Sequence, residues 1–308
     1  MDLPDEDTIR WIVTNFARIQ SAVGEAVASP PLIQPDSTFF PDEFAVDLPS
    51  LRRLLSRMVG YAPVRTGVAL DVVVSDGAGE PSESAGCGAC DCDTNATPAG
   101  RSGRVDEQSD GYVVWIRAGD ARRAESLTSA FARAIGSMVL REASIDPDDR
   151  ISEIAAVACG FGVLLANGAA VWGKSCGGLR VIRSTALTVE ELAVAVALFR
   201  ALHGVRAGDV RRSFGATQRS AFDKAYEWVA SNPMIVESLR NRPEVLEAGV
   251  MEIEPVRGMI GRWLHGRRLK RQLQFVQARP AEAPSEGKRR LMMEARELVD
   301  DVFGSRDG

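Results

Sequence analysis

LTSAFARAIGSMVLREASIDPDDRISEIAAVACGFGVLLAN, residues 127–167, is two apolar stretches joined by the acidic turn DPDD at 146–149. The spacing predicts a helix over 124–142, an N-cap in the turn and a long buried helix over 151–171. A few polar residues fall where the two helices could face each other. That spacing would suit a catalytic helix pair, but the residue types would not.

Upstream, 67–75 (GVALDVVVS) and 111–117 (GYVVWIR) are rich in β-branched residues and are expected as two strands paired antiparallel. The segment 76–110 between them is rich in Gly, Ser, Pro, Asp and Thr. It is expected as a surface excursion or a disordered insert without a core anchor. Amphipathic helices are expected over 7–28 and 48–59. Thr188 followed by Glu191 makes a capping box for a helix ending at Gly204. The remainder, 206–308, reads as a helical extension with pieces at 220–230, 256–277 and 288–303, and Asn232-Pro233 closes the first of these.

The chain has 308 residues, 45% of them apolar, and a net charge of -5 with a pI near 5.3. This is enough apolar content for a sizeable core. The acidic balance gives no strong nucleic-acid signal, because phosphate binding needs an excess of positive charge on some face. The acidic start MDLPDEDTIRW lacks the basic region of a secretion signal, and five cysteines make no spread-out disulfide framework, so a cytoplasmic setting is expected. The uncharged stretch 154–172 has about the length that spans a bilayer core of about 30 Å. Its Ala and Gly content makes tight packing inside a core the better reading.

Chemistry-bearing residues are sparse. The only two histidines, His203 and His265, stand apart and suit solvated or capping roles. Cys87, Cys90 and Cys92 could hold zinc through three thiolates, although no fourth ligand is identifiable, or they could form a redox-sensitive loop. Gly160-Phe161-Gly162 and Gly177-Gly178 match no phosphate-binding fingerprint. The stretch 257–271 places Arg257, Arg262, Arg267, Arg268, Lys270 and Arg271 around Trp263. It could meet an acidic protein groove, an anionic membrane surface or an RNA backbone, or be a solvated helix face.

The string Gly160-Phe-Gly-Val-Leu-Leu-Ala-Asn167, with Phe40-Pro-Asp and the helix at 51–61 upstream, resembles a small zincin-like family of largely uncharacterised bacterial proteins. In that family a helix bearing HExxH is followed by an acidic stretch and a helix reading roughly GFGxFxAN. The resemblance covers about residues 40–205. It places Arg133 at the first zinc-binding His, Ala134 at the general-base Glu and Ser137 at the second His. Arginine cannot ligate a cation and alanine accepts no proton. Asp149 and Glu153 remain as carboxylates on the side of the third ligand. Buried carboxylates require a positive or hydrogen-bonding partner. Arg133 is therefore expected either to contact Glu153 or Asp149 in place of the metal, or to point to solvent.

The resemblance implies an α+β fold, a small antiparallel sheet with packed helices over 1–205, followed by the helical extension. It implies a non-catalytic pseudo-metallopeptidase without cofactor that acts as a binding or structural module for an unknown protein partner. The alternatives are a metal- or thiol-dependent protein using the Cys87/Cys90/Cys92 cluster, and a peripheral membrane or nucleic-acid-associated protein acting through 257–271.

Overall fold

The computed structural model describes residues 2–24, 29–75, 102–175 and 178–256. The Cys87/Cys90/Cys92 cluster, the basic stretch 257–271 and the helix expected at 288–303 lie outside them. The described residues form an α+β fold, a small sheet with packed helices.

Helix α1 (Glu6–Val23) is capped by Asp5, whose side chain accepts from the Thr8 N–H, and buries Ile9, Ile12, Val13, Phe16 and Ile19 on one stripe. Helix α2 (Leu48–Val59) is capped in the same way by Asp47 and buries Leu51, Leu55 and Met58. Carboxylates suit both positions because the first N–H groups of a helix lack intrahelical partners.

Three strands follow, β1 (Ala69–Ser75), β2 (Arg104–Glu107) and β3 (Gly111–Arg117), in the order β1-β3-β2. β2 and β3 pair antiparallel across a tight turn in which the Gln108 N–H donates to the Gly111 carbonyl at 2.8 Å. β1 and β3 pair parallel, which corrects the expected antiparallel pairing. The hairpin places β2 on one edge of β3, so β1 takes the other edge through a long crossover, as a parallel pair requires. At the start of this pair a Cβ on Gly111 would lie 1.9 Å from the Ala69 carbonyl oxygen, so the strands meet only over a glycine. The expectation that nothing in 76–110 anchors to the core is also corrected. Val105 is buried in β2, and Ser102 is buried just before it.

A short helix α3 (Ala118–Ala121) leads into α4 (Ala124–Glu142), which is buried on nearly every side. It lies against the sheet, α2, α5 (Asp149–Ala158) and α6 (Gly162–Gly168). The crossing with α5 is close: a Cβ on Gly136 would sit 1.9 Å from the Ser152 carbonyl oxygen.

The single helix expected over 151–171 is two helices. Gly160 takes φ +94° and ends α5, with the Gly160 N–H on the Val157 carbonyl and the Phe161 N–H on the Ala156 carbonyl. This is a glycine C-cap, and with the Cys159 N–H on the Ala155 carbonyl it satisfies the carbonyls of Ala155, Ala156 and Val157. Val171 opens β4 (Val171–Ser175), which pairs antiparallel with β5 (Gly178–Ile182). The uncharged stretch 154–172 is thus divided among three elements, and no helix among the described residues is long and apolar enough to cross a membrane.

Helix α7 (Val189–His203) starts on the Thr188–Glu191 capping box and stops at Gly204, φ 68°. Four more helices follow among the described residues, α8 (Ala207–Arg212), α9 (Ala216–Ser231), α10 (Pro233–Asn241) and α11 (Pro243–Glu247). α9 packs on α7 and α11 on α1. Thr14 Oγ1 donates to the Leu246 carbonyl at 3.3 Å, and an Arg10 Nη donates to the Met251 carbonyl at 3.0 Å. The boundary expected at 205 therefore falls inside one compact unit that runs to Val256. Asn232-Pro233 ends α9 as expected, and Pro233 also opens α10 at its first position, where its missing N–H costs nothing.

Candidate functional site

Arg133 lies in the middle of α4, where its neighbours Ala132, Ala134 and Ile135 are core residues. It is 2% exposed. Its Nη1 stands 3.1 Å from Glu153 Oε1 on α5, and Glu153 is fully buried.

The pair gathers backbone from two further places. Arg133 Nη1 also donates to the Ser184 carbonyl at 3.0 Å, and Nη2 donates to the Ser102 carbonyl. Glu153 Oε1 accepts from the Ala186 N–H at 2.7 Å and Oε2 from the Leu187 N–H at 2.8 Å. The cross-link therefore joins α4 and α5 to the turn before β2 and to the segment between β5 and α7. Asp149, at the first turn of α5, has Oδ1 4.0 Å from Arg133 Nε and a half-exposed side chain.

Burial pushes the Glu153 carboxyl above its ordinary value, while the Arg133 guanidinium and the Leu187 and Ala186 N–H groups pull it down. The geometry is that of an ionised carboxylate. Each contact Glu153 makes is with a donor, and a protonated oxygen would need an acceptor in its place.

The segments on either side are pinned as well. Ser102 Oγ donates to Asp120 Oδ2 at 2.5 Å and accepts from the Arg117 N–H at 2.9 Å. Ser184 Oγ meets Ser126 Oγ at 2.9 Å, and the Ser184 N–H donates to the Gly168 carbonyl at 3.0 Å. The two segments whose carbonyls receive the guanidinium are thus hydrogen-bonded to α3, α4 and α6 in turn.

Of the other positions singled out in the sequence, Ala134 packs in the core and Ser137 lies at its edge, 9% exposed. Arg133, Glu153 and Asp149 come together; Ala134 and Ser137 add no chemistry to them. Zinc, which the zincin resemblance would bring, does not fit this arrangement. A guanidinium already supplies the positive charge between the carboxylates, and among the described residues no three of His, Cys, Asp and Glu converge. Cys159 is fully buried and burial pushes its thiol up to about 12, which removes it as a thiolate nucleophile. His203 packs against Phe199 with ring centroids 4.7 Å apart and the ring planes inclined by 46°.

The contributors that residue type does not reveal are the carbonyls of Ser102 and Ser184 and the N–H groups of Ala186 and Leu187. Every residue carries such groups, so no sequence signal marks them. No family model matches the chain, and neither a curated protein nor a solved structure matches it.

Proposed function

We propose that this chain is a non-catalytic pseudo-metallopeptidase, a binding or structural module in which an ion pair stands where a zincin-like relative would hold its metal. The observation that carries the reading is the buried Arg133 guanidinium, held by Glu153 and two backbone carbonyls at the crossing of α4 and α5. A cationic side chain fixed in this way ties two helices together as a metal would, and it offers neither a Lewis acid nor an activated water. We assign the protein to the cytoplasm, a reducing setting that suits the free thiol of Cys159.

Reinstating the motif tests this. Arg133→His, Ala134→Glu and Ser137→His together should create a site that takes up about one zinc per chain, with Glu153 or Asp149 as the third protein ligand. Zinc content by mass spectrometry after dialysis reads the result, and circular dichroism checks the fold. A folded triple variant without zinc refutes the likeness of the helix pair. Zinc-dependent peptidase activity in the unaltered protein refutes the absence of catalysis.

A further inference from the structure

Of the residues of β1, ALDVVVS, only Asp71 is charged, and aspartate is among the residues that strands accept least. Its place in an otherwise apolar, β-branched run follows from where the backbone of β1 points. The Ala69 N–H donates to the Asp110 carbonyl at 3.1 Å, so Ala69, Asp71, Val73 and Ser75 turn their N–H and C=O groups toward β3. Leu70, Val72 and Val74 turn theirs the other way. β1 is the outermost strand of its sheet, and no bond among the described residues engages the N–H groups of Leu70 and Val74 or the carbonyls of Leu70, Val72 and Val74.

The exception on this open edge is the Val72 N–H. It donates to Oδ1 of its own neighbour, Asp71, at 2.7 Å. The same oxygen receives Arg52 of α2, whose Nε lies 2.8 Å and whose Nη2 lies 2.7 Å away. The carboxylate is thus turned onto the edge of the strand and held there from α2, which packs on β1. Both side chains stay half-exposed.

An edge of this kind is a template for another chain, since unpaired N–H and C=O groups accept an extended backbone. Val72-Val73-Val74, uncharged and with Val74 exposed, adds the apolar, β-branched character that favours such pairing. An incoming strand needs the Val72 N–H in the middle of its ladder. There it meets a carboxylate that repels its carbonyl oxygens, backed by a guanidinium that fills the same place.

We infer that Asp71, anchored by Arg52, is a guard that keeps the edge of β1 closed to strand addition by a second copy of this chain. The second copy is the occupant that the strand itself supplies. Two β1 strands running antiparallel about Val72 set Leu70 of one against Val74 of the other and Val72 against Val72, so apolar positions meet apolar ones on the same face. The contact is self-inhibitory, because the group that blocks the edge belongs to the strand that offers it. The guard is independent of the Arg133–Glu153 pair.

The full chain is compared as wild type, as Asp71→Ala and as Asp71→Ala with Val74→Pro, by sedimentation velocity over a range of concentrations, with circular dichroism to check the fold. Removing a half-exposed ion pair costs little stability, so Asp71→Ala is expected to fold. Val74→Pro deletes an N–H that faces the open edge and leaves the ladder with β3 intact. The expected result is reversible self-association at least about tenfold tighter in Asp71→Ala than in the wild type, as one regained hydrogen bond per copy would give, and cancelled by Val74→Pro. If the proline disturbs the strand, Val74→Lys takes its place, since a charge on the edge opposes pairing in the same way. Amide exchange in the wild type, followed by nuclear magnetic resonance, reads the edge itself. The Leu70 and Val74 amides should exchange faster than those of Asp71 and Val73, with Val72 protected by its neighbour's carboxylate. Asp71→Ala sedimenting like the wild type, association that survives the change at Val74, or equal exchange along β1 overturns the inference.

Discussion

Arg133 on α4 and Glu153 on α5 stand 3.1 Å apart, with exposures of 2% and 0%. Neither charge has access to bulk water, and each is completed by backbone from elsewhere, the Ser102 and Ser184 carbonyls for one and the Ala186 and Leu187 N–H groups for the other. A buried pair is worth little by itself, because desolvation offsets most of the attraction. Its leverage is on the groups around it, which would be orphaned without it.

The first prediction follows from that leverage. Arg133→Met leaves Glu153 buried without its counter-charge, and Glu153→Gln leaves Arg133 unbalanced while turning an NH2 toward a donor. Each should cost about 3–5 kcal/mol in urea denaturation. An apolar double variant, Arg133→Met with Glu153→Leu, should not recover wild-type stability, since two carbonyls and two N–H groups lose their partners. Full recovery would mean that those backbone contacts contribute little.

The close crossing of α4 and α5 gives the second. Gly136→Ala forces a Cβ to within 1.9 Å of the Ser152 carbonyl, and the helices must separate at a cost of about 1–3 kcal/mol. Gly208→Ala in α8 meets nothing within 4 Å and should instead stabilise by about 0.4–1 kcal/mol. Equal effects of the two in thermal melts would show that the crossing is looser than the structure has it.

What the sequence made legible follows from how local each signal is. Thr188 and Glu191 announce α7 because a capping box is written within four residues, and 111–117 announces β3 through its β-branched run. The Arg133–Glu153 contact was one of the alternatives the sequence left open, beside Asp149 and solvent, because a buried carboxylate needs a positive or hydrogen-bonding partner. The short strand β2, RVDE, is mostly charged and hides its one buried valine. Gly160 looks like a packing glycine in an apolar run. Its φ of +94° goes with contacts to distant chain: a Cβ there would strike the Pro31 carbonyl oxygen, and its own carbonyl accepts from the Ile33 N–H. The parallel pairing of β1 with β3 depends on where the crossover returns, which no single strand records.

Cys159 gives the third prediction. The thiol is fully buried at the C-cap of α5, and burial pushes it up to about 12. In native protein treated with iodoacetamide and mapped by mass spectrometry, Cys159 should stay unmodified near pH 8 and react only once urea unfolds the chain. Rapid native labelling would mean that the α5–α6 junction opens readily.

The caps of α1 and α2 set an acid-side dependence. Asp5 and Asp47 are held below the usual aspartate value of 3.8, chiefly by hydrogen bonds from the Thr8 and Ser50 N–H groups. In the pH range below that value the folded chain binds fewer protons than the unfolded one. The stabilisation is therefore complete above the unfolded value and is lost as pH falls through the folded one. Asparagine caps about as well without titrating. The double variant Asp5→Asn, Asp47→Asn should accordingly lose less melting temperature than the wild type between about pH 5 and about pH 2. Glu153, shifted upward, has the opposite sign: its contribution is present below the unfolded value and is lost as pH rises through the folded one. Both proteins carry it, so it cancels in the comparison. Parallel melting curves across that range would show that these two carboxylates do not stabilise the helices through their charge.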